Sequence, residues 1–207
     1  MGRLDKGLLG GYTGKLGTTV GSTWKGINVV RTYQPNVANP RSDKQVEHRS
    51  LFSHVTELGS LLLADVIKPL WDRNAKQMSG YNAFIQANML ASAKEKKLTP
   101  ERFVLSRGRI GSTNIDVQIS ESELHIQWEN TILPVFGKDS DMAFVIVFDG
   151  SMNVLEYSAG AVNRGDSEVF FNHDGSLHGS AESVVVAFLS EDGKLSSNTE
   201  FELIDYE

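Results

Sequence analysis

The chain of 207 residues is long enough for one large domain or two small ones, and its 40% hydrophobic and 22% charged residues are typical of a globular protein. It contains no cysteine, which excludes disulfides, thiol nucleophiles and cysteine-bound metal centres. The net charge of −6 is unevenly divided, because residues 1–111 carry 17 Lys and Arg against 8 Asp and Glu, whereas residues 112–207 carry 3 against 18. This division indicates either nucleic-acid contact by the basic half or head-to-tail contact between copies.

Residues 1–41 are predicted to form a glycine-rich basic arm. Eight of the 19 glycines lie in the first 26 residues, and no acidic residue occurs between Lys6 and Asp43. Such a segment loses much conformational entropy when it is ordered, so we expect an arm whose one short strand is Ile27 to Tyr33. Its aromatic side chains need a surface to pack on, which is either the protein's own helices or a neighbour. The residues we expect to contact a partner are Trp24, Lys25, Val29, Arg31 and Tyr33.

Residues 42–98 are predicted to be helical. Ser42 and Gln45 have the spacing of a capping box, which starts a helix. Pro69 is predicted to end or kink this first helix, and a second is predicted from about Leu70 to Lys96, with Gly80 as its weak point. The residues spaced to form the apolar face of the first helix are Leu51, Val55, Leu58 and Leu62.

Residues 99–207 are predicted to form a β-sandwich. Apolar and polar residues alternate over 115–119 and 124–128, and residues 143–148 form the continuous apolar run of a buried strand. Four further strands are predicted over 154–157, 168–171, 183–189 and 199–204. Seven short strands with an early tryptophan suggest an immunoglobulin- or fibronectin-like sandwich, so the predicted fold class is α+β. The residues assigned to the sandwich core are Trp128, Phe144, Ile146 and Phe148.

The sequence lacks the common catalytic motifs. Gly14-Lys15 resembles the end of a phosphate-binding loop, but the first glycine of that motif is replaced by Leu9 and its hydroxyl residue by Leu16. Neither a GxGxxG nor a GxSxG motif occurs. The carboxylates of the second half are scattered over strands and turns, as on a solvated acidic surface. We therefore expect no enzymatic activity and no cofactor.

A metal site and a membrane segment are not predicted either. His173, Asp174 and His178 lie together in a predicted loop, but no further ligand set accompanies them, and solvent-facing positions are expected. His125 is expected to face water, on the side of its strand opposite Trp128. No signal-peptide pattern is present at the N-terminus, and no apolar run reaches the roughly 20 residues of a membrane span.

Residues 14–31 read GKLGTTVGSTWKGINVVR. This string resembles the pattern GKxGxxVGxxWKGxxVVR of an uncharacterised family from Bacteroidota and their phages. The similarity continues through Pro40, Gln45 and Arg49 and through a central group consisting of Ser79, Tyr81, Asn82, Ala83, Phe84 and Asn88. In the second half it includes Trp128, Asp141, Arg164 and the segment 188–198 with Ser190, Asp192, Gly193, Lys194 and Ser197. The resemblance implies no known activity, but it implies a bacterial or phage setting.

These observations lead to three functional hypotheses, of which a cell-surface or secreted adhesion module is disfavoured by the missing signal-peptide pattern. The first is a non-enzymatic structural protein of a bacteriophage virion, such as a capsid-associated, head–tail connector or tail component. It would bind other copies of itself and other virion proteins, and it would be found in the host cytoplasm during assembly and then in the virion. The alternative is a nucleic-acid-binding protein that uses its basic N-terminal half.

Overall fold

The computed structural model describes residues 2–3, 11–36, 39–111, 113–120, 122–130, 136–173, 177 and 179–206. The first strands are β1 (Gly2–Arg3), β2 (Gly14–Leu16), β3 (Thr19–Trp24) and β4 (Ile27–Thr32). The helices are α1 (Asp43–Leu61), α2 (Lys68–Trp71) and α3 (Gly80–Ala91). The later strands are β5 (Ile115–Ile119), β6 (Glu123–Trp128), β7 (Met142–Asp149), β8 (Val154–Asn163), β9 (Glu168–Asn172), β10 (Ala181–Leu189) and β11 (Glu200–Leu203). The mixed α+β class that the sequence predicts is confirmed, with strands outnumbering helices.

The glycine-rich start of the chain is folded as an antiparallel sheet in the order β1-β4-β3-β2. A two-residue turn joins β3 to β4, and its residues Lys25 and Gly26 have φ of 45° and 79°, as a hairpin turn of the primed type requires. At Gly21 a Cβ would lie 2.7 Å from the ring of Tyr12, so only glycine fits there. The prediction of an arm with a single strand is therefore wrong. Gly26 allows the turn and Gly21 allows close packing within a four-stranded sheet.

The first helix begins as predicted and ends differently. The capping box of Ser42 and Gln45 is present. The chain bends by 75° between α1 and the segment that follows it, and this break precedes Pro69, which lies in the first turn of α2. The prediction that Pro69 ends or kinks the first helix is therefore wrong, because the break comes before Leu63 and Pro69 lies at the start of α2. A π-helical segment, Leu63–Ile67, follows the bend, and its wider turn accompanies the complete burial of both Val66 and Ile67.

Among the described residues, no single helix is long and apolar enough to cross a bilayer, although α1 and the bent segment up to Trp71 would reach that length and composition together.

The predicted second helix over 70–96 is in fact two helices separated by a loop. α2 ends at Trp71 and α3 begins at Gly80. The backbone N–H of Gly80 donates a hydrogen bond of 2.8 Å to the Asp72 carboxylate, and a Cβ at this glycine would lie 2.5 Å from that same oxygen. Gly80 is thus the first residue of a helix, where it allows the loop to approach, instead of a weak point within one. The hydroxyl of Ser79 caps α3 by accepting a hydrogen bond from the N–H of Asn82.

The seven later strands form two facing antiparallel sheets, with a layer of helices outside one of them. The sheets have the orders β11-β10-β7-β8 and β5-β6-β9. One hydrophobic core fills the space between the sheets, and a second lies between the four-stranded sheet and the helices. The strand β7 belongs to both cores, because Ala143, Val145 and Val147 contact the first and Phe144, Ile146 and Phe148 contact the second. This double burial explains its continuous apolar sequence.

The assignment of residues to the sandwich core is therefore correct for Trp128. It is wrong for Phe144, Ile146 and Phe148. Trp128 lies between the two sheets. Phe144, Ile146 and Phe148 instead face the helices, where edge-to-face ring contacts link Trp71 to Phe84, Phe84 to Phe103 and Phe103 to Phe148 at 6.1, 6.0 and 5.1 Å. The sequence did not reveal that a third layer covers this face of the sheet.

Asn88 fastens α3 to the chain that leads into the sandwich. Its buried side chain donates hydrogen bonds to the carbonyls of Phe84 and Val104 at 3.1 and 3.0 Å and accepts one from the N–H of Val104 at 2.9 Å. We expect Asn88→Ala to lower the free energy of unfolding by about 1–3 kcal/mol, because both backbone groups of Val104 lose their partner. Urea denaturation measures this change. The control Asn82→Ala removes an exposed amide from the same helix and should cost less than about 0.5 kcal/mol; equal losses for the two variants would contradict the prediction.

Candidate functional site

Trp128, Asp141 and Arg164, three of the second-half residues that carry the family resemblance, form a buried cluster with Phe188. Arg164 is 0% exposed, and its guanidinium lies 3.8 Å from the ring centre of Phe188 and 3.8 Å from the carboxylate of Asp141. The indole N–H of Trp128 donates a 2.8 Å hydrogen bond to the carbonyl of Arg164. Burial lowers the pKa of Arg164 below its ordinary value and the Asp141 charge opposes this shift, yet arginine stays charged at neutral pH. The cluster is inaccessible and thus has a structural role.

The closing turn of the sandwich is also explained by local structure. The hydroxyl of Ser190 donates to the Asp192 carboxylate and accepts from the N–H groups of Lys194 and Leu195 at 3.1 and 2.9 Å. The pKa of Asp192 is held far below its usual range, and the hydrogen bond from the Lys194 side chain has the largest effect on it. Ser197 accepts a 2.8 Å hydrogen bond from the N–H of Phe188. These residues shape the connection from β10 to β11, so their presence needs no ligand to explain it.

The N-terminal sheet differs, because its large side chains are exposed. Between β3 and β4 the register pairs Val20 with Arg31, Ser22 with Val29 and Trp24 with Ile27. Between β2 and β3 it pairs Lys15 with Val20. These side chains therefore lie on one face of the sheet. Trp24 is 55% exposed and Tyr33 42% exposed. The ammonium of Lys15 lies 3.8 Å from the ring centre of Tyr33, a cation–π contact that places both on this face. We call this surface the Trp24 face, made up of Lys15, Val20, Trp24, Ile27, Val29, Arg31 and Tyr33.

The opposite face of the sheet is partly covered by the chain itself. Tyr12 lies against Gly21, and its hydroxyl forms a hydrogen bond with that of Thr19 at 2.5 Å. Asn28 on this face packs against Gly11 and accepts a hydrogen bond from Thr23. Among the described residues, neither of the two main cores includes a member of the N-terminal sheet. The Trp24 face therefore combines apolar and cationic groups without a covering layer in the described part of the chain.

Four of the five partner-binding residues predicted from the sequence lie together on this face. Trp24, Val29, Arg31 and Tyr33 share it, whereas Lys25 occupies the hairpin turn and donates to the carbonyl of Met78. Lys15, Val20 and Ile27 lie on the same face and were not among the residues predicted from the sequence. Treating Lys25-Gly26 as a two-residue turn would have placed Val20 and Ile27 on the Trp24 face, because that turn sets the register of the hairpin formed by β3 and β4.

An acidic surface lies on the outward face of the three-stranded sheet. Alternation along β5, β6 and β9 places Asp116, Glu123 and Glu168 on this face. His125 lies there too, confirming the predicted side of its strand; its ring stacks on Phe170 at 4.2 Å and its Nε2 is 2.9 Å from the Glu168 carboxylate. Phe170 is largely exposed. The surface thus offers carboxylates around an accessible aromatic ring.

The residues tested for metal binding give no further site within the described chain. No group of three or more His, Asp and Glu side chains able to hold a metal ion occurs among the residues that the structure describes. Asp174 and His178, two of the three side chains considered from the sequence, lie outside those residues.

Comparison with known proteins gives a family without an assigned role. Neither the curated proteins nor the solved structures contain a match to the chain. The model of a family of unknown function, DUF6266, matches residues 11–202, which include β2 to β4, the helices and strands of both sheets of the sandwich. The uncharacterised family expected from the sequence is thereby confirmed at this level, and the chain belongs to the family of unknown function DUF6266.

Proposed function

We propose that the protein is a non-enzymatic assembly protein in which the Trp24 face of one copy binds the acidic outward face of the three-stranded sheet of the next. The observation that carries this proposal is the exposure of Trp24 on a face that also carries Arg31 and Lys15, which pair with Val20 four residues along the same strand. Exposed tryptophan and arginine are the residues that most often dominate binding energy at protein interfaces. Trp24 belongs to neither hydrophobic core of the described residues, which favours a role between molecules.

Charge complementarity supports a second copy as the partner. The Trp24 face carries the cations of Lys15 and Arg31, and residues 7–42 contain no carboxylate side chain. The acidic face offers Asp116, Glu123 and Glu168 around Phe170, which could receive an apolar group. Two different surfaces in contact make a head-to-tail interface, which yields rings where the rotation closes and filaments where it does not.

The sandwich itself is best described as immunoglobulin- or fibronectin-like. The first, second and fifth strands form one sheet, and the seventh, sixth, third and fourth form the other. This order follows from the constant immunoglobulin arrangement when the fourth strand moves to the opposite sheet. Trp128 departs from the immunoglobulin pattern, because it lies on the second strand of the sandwich and not on the third.

The biological setting we propose is the bacteriophage virion, as a capsid-associated, head–tail connector or tail component that assembles in the host cytoplasm. The resemblance of residues 14–31 to proteins of Bacteroidota and their phages supports this setting. An interface built from repeated copies of one chain also suits a particle with many equivalent positions.

Replacing Trp24 tests the assembly. We expect wild-type protein to form oligomers that light scattering detects, and Trp24→Ala to raise the dissociation constant about 30-fold, because an anchor of this type contributes about 2 kcal/mol or more. Raising the salt concentration from about 0.05 M to about 0.5 M should also dissociate the wild-type oligomer, since it screens the charges of Lys15 and Arg31.

Leu16→Ala is the matched control. Leu16 is 50% exposed on the same sheet, but its pairing with Thr19 places it on the opposite face. Its replacement should leave the oligomer intact. A monomeric wild-type protein at low salt, or equal effects of the two substitutions, would refute the proposed interface.

Nucleic-acid binding is a second candidate, favoured by the same arrangement of aromatic rings and cations. Trp24 and Tyr33 could stack on bases while Lys15 and Arg31 contact phosphates. A gel-shift experiment with single-stranded DNA at about 0.05 M salt tests it, because phosphate contacts are strongest there. Retarded DNA that Trp24→Ala releases would support this candidate, and an unshifted band would exclude it.

A further inference from the structure

A cleft of about 530 Å³ lies where the helical layer meets one end of the four-stranded sheet. Its walls are residues 97–101, the turn at 149–152 between β7 and β8, the start of β10 at Glu182 and Ser183, and the side chains of His54 and Leu203. The residues that line the cleft lie outside the N-terminal sheet. Ligand binding in the cleft therefore does not depend on the assembly proposed above. Its volume suits a small organic group.

Ser183 supplies the sharpest observation in this cleft. The residue is 0% exposed, it lines the cleft, and its hydroxyl has no hydrogen-bond partner in the described structure. A buried hydroxyl without a partner is costly, and proteins retain such groups where a ligand or a water molecule completes them. The register of β10 against β7 shifts between Ala181 and Ser183, and such bulges commonly redirect side chains next to binding sites.

Carboxylates dominate the charge of the cleft. Glu101, Asp149 and Glu182 line it against the single cation of Lys97. Burial raises the pKa of Asp149, but hydrogen bonds from Asn153 and Ser151 outweigh this and hold the pKa below its ordinary value. Asp149 is engaged in its own turn, and hydrogen bonds from the Thr99 side chain and a backbone N–H hold the pKa of Glu101 below its ordinary value. Glu182 is therefore the carboxylate left to meet a ligand.

Glycine keeps the rim of the cleft open to Glu182. A Cβ at Gly150 would lie 2.5 Å from the carboxyl carbon of Glu182, so this carboxylate rests directly against the turn. Apolar groups from Leu98, Met152 and Leu203 also line the cleft. The site therefore offers negative charge, one unpartnered hydroxyl and an apolar wall.

We propose that this cleft binds a short alkyl chain that ends in an ammonium or guanidinium group. The cation would lie between the Glu182 carboxylate and the Ser183 hydroxyl, which accepts a hydrogen bond from it, and the alkyl chain would contact Leu98, Met152 and Leu203. An anionic ligand of the same size is disfavoured, because three carboxylates would face it.

The experiment is a titration of the full-length protein with three probes that share one alkyl chain: n-butylamine, n-butanol and butyrate. Saturation-transfer NMR of the probes measures each dissociation constant and tolerates a protein of any oligomeric state. n-Butylamine should bind in roughly the millimolar range expected of so small a ligand, and butyrate at least about fivefold more weakly. Equal binding of n-butylamine and butyrate, or no binding of n-butylamine, would overturn the proposal. A peptide with one lysine, compared with n-butylamine, distinguishes a protein side chain from a free amine as the source of the cation.

Two substitutions localise the binding. Glu182→Gln should weaken n-butylamine about threefold to fivefold, as is usual for an exposed ion pair, whereas Glu156→Gln on the exposed part of β8 should leave it unchanged. Ser183→Ala should weaken n-butylamine without lowering the urea midpoint of the free protein, because its hydroxyl has no partner there to lose. A Ser183→Ala protein that is destabilised, or that binds n-butylamine like the wild type, would contradict the assigned role of this hydroxyl.

Discussion

Replacing Asp141 by alanine is expected to lower the free energy of unfolding by about 3–5 kcal/mol, the largest effect we predict for a single charge in this protein. Arg164 is fully buried, and Asp141 is the carboxylate within 4 Å of it among the described ion pairs. Asp141 also accepts a 2.8 Å hydrogen bond from the backbone N–H of Lys138. Without this carboxylate the guanidinium stays buried without a counter-charge, and the Lys138 N–H loses its partner. Urea denaturation at pH 7 measures the loss.

Two further variants separate the charge from the packing. Arg164→Met removes the buried cation and keeps an apolar chain against Phe188, so it should cost less than Asp141→Ala, and the double variant should recover part of the stability. Asp116→Ala, on the exposed face of β5, should change the free energy of unfolding by less than about 0.5 kcal/mol. A loss below about 1 kcal/mol for Asp141→Ala would mean that Arg164 does not rely on this carboxylate.

Phe148→Ala is also expected to lower the free energy of unfolding by about 3–5 kcal/mol, because it creates a cavity between the four-stranded sheet and the helices. Phe148 is fully buried on the helical side of β7, and its ring meets Phe103 edge to face. The substitution therefore removes contacts that hold the helices against the sheet. The control Phe170→Ala removes an exposed ring from β9 and should cost far less.

The same variant tests whether the helical region and the sandwich unfold as one unit. Trp71 reports on the helical layer and Trp128 on the interior of the sandwich. In proteins that retain only one of these tryptophans, we expect coincident urea transitions, and Phe148→Ala should shift both by the same amount. Separate transitions, with Phe148→Ala moving only one, would show that the regions 42–98 and 99–207 are independent domains.

The elements that the sequence predicted correctly are those set by local chemistry. The capping box at Ser42 starts α1, and the alternation over 115–119 and 124–128 forms β5 and β6, since a cap and a period of two need no distant contact. The continuous apolar run in β7 indicated a strand buried on both faces. It could not indicate what covers each face, and so the phenylalanines of β7 were assigned to the wrong core.

The errors occurred where a distant contact decides the local structure. The bend before Leu63 and the loop before Gly80 follow from packing and from the Asp72 carboxylate, neither of which a helical period reveals. The N-terminal glycines were taken as a sign of a flexible arm, whereas Gly17 and Gly26 lie in turns and Gly21 lies in a paired strand. The cleft around Ser183 likewise joins five parts of the chain that are far apart in the sequence.

The sequence by itself determined the mixed class, most of the strands, the uneven charge and the aromatic residues of the N-terminal segment, because each of these depends on composition or on neighbours along the chain. Only the tertiary structure decided that Trp24, Val29, Arg31 and Tyr33 share one exposed face while Lys25 does not. It also decided that Trp128, Asp141, Arg164 and Phe188 meet in the interior. Such groupings depend on strand register and on the packing of layers, which bring together residues that no local pattern connects.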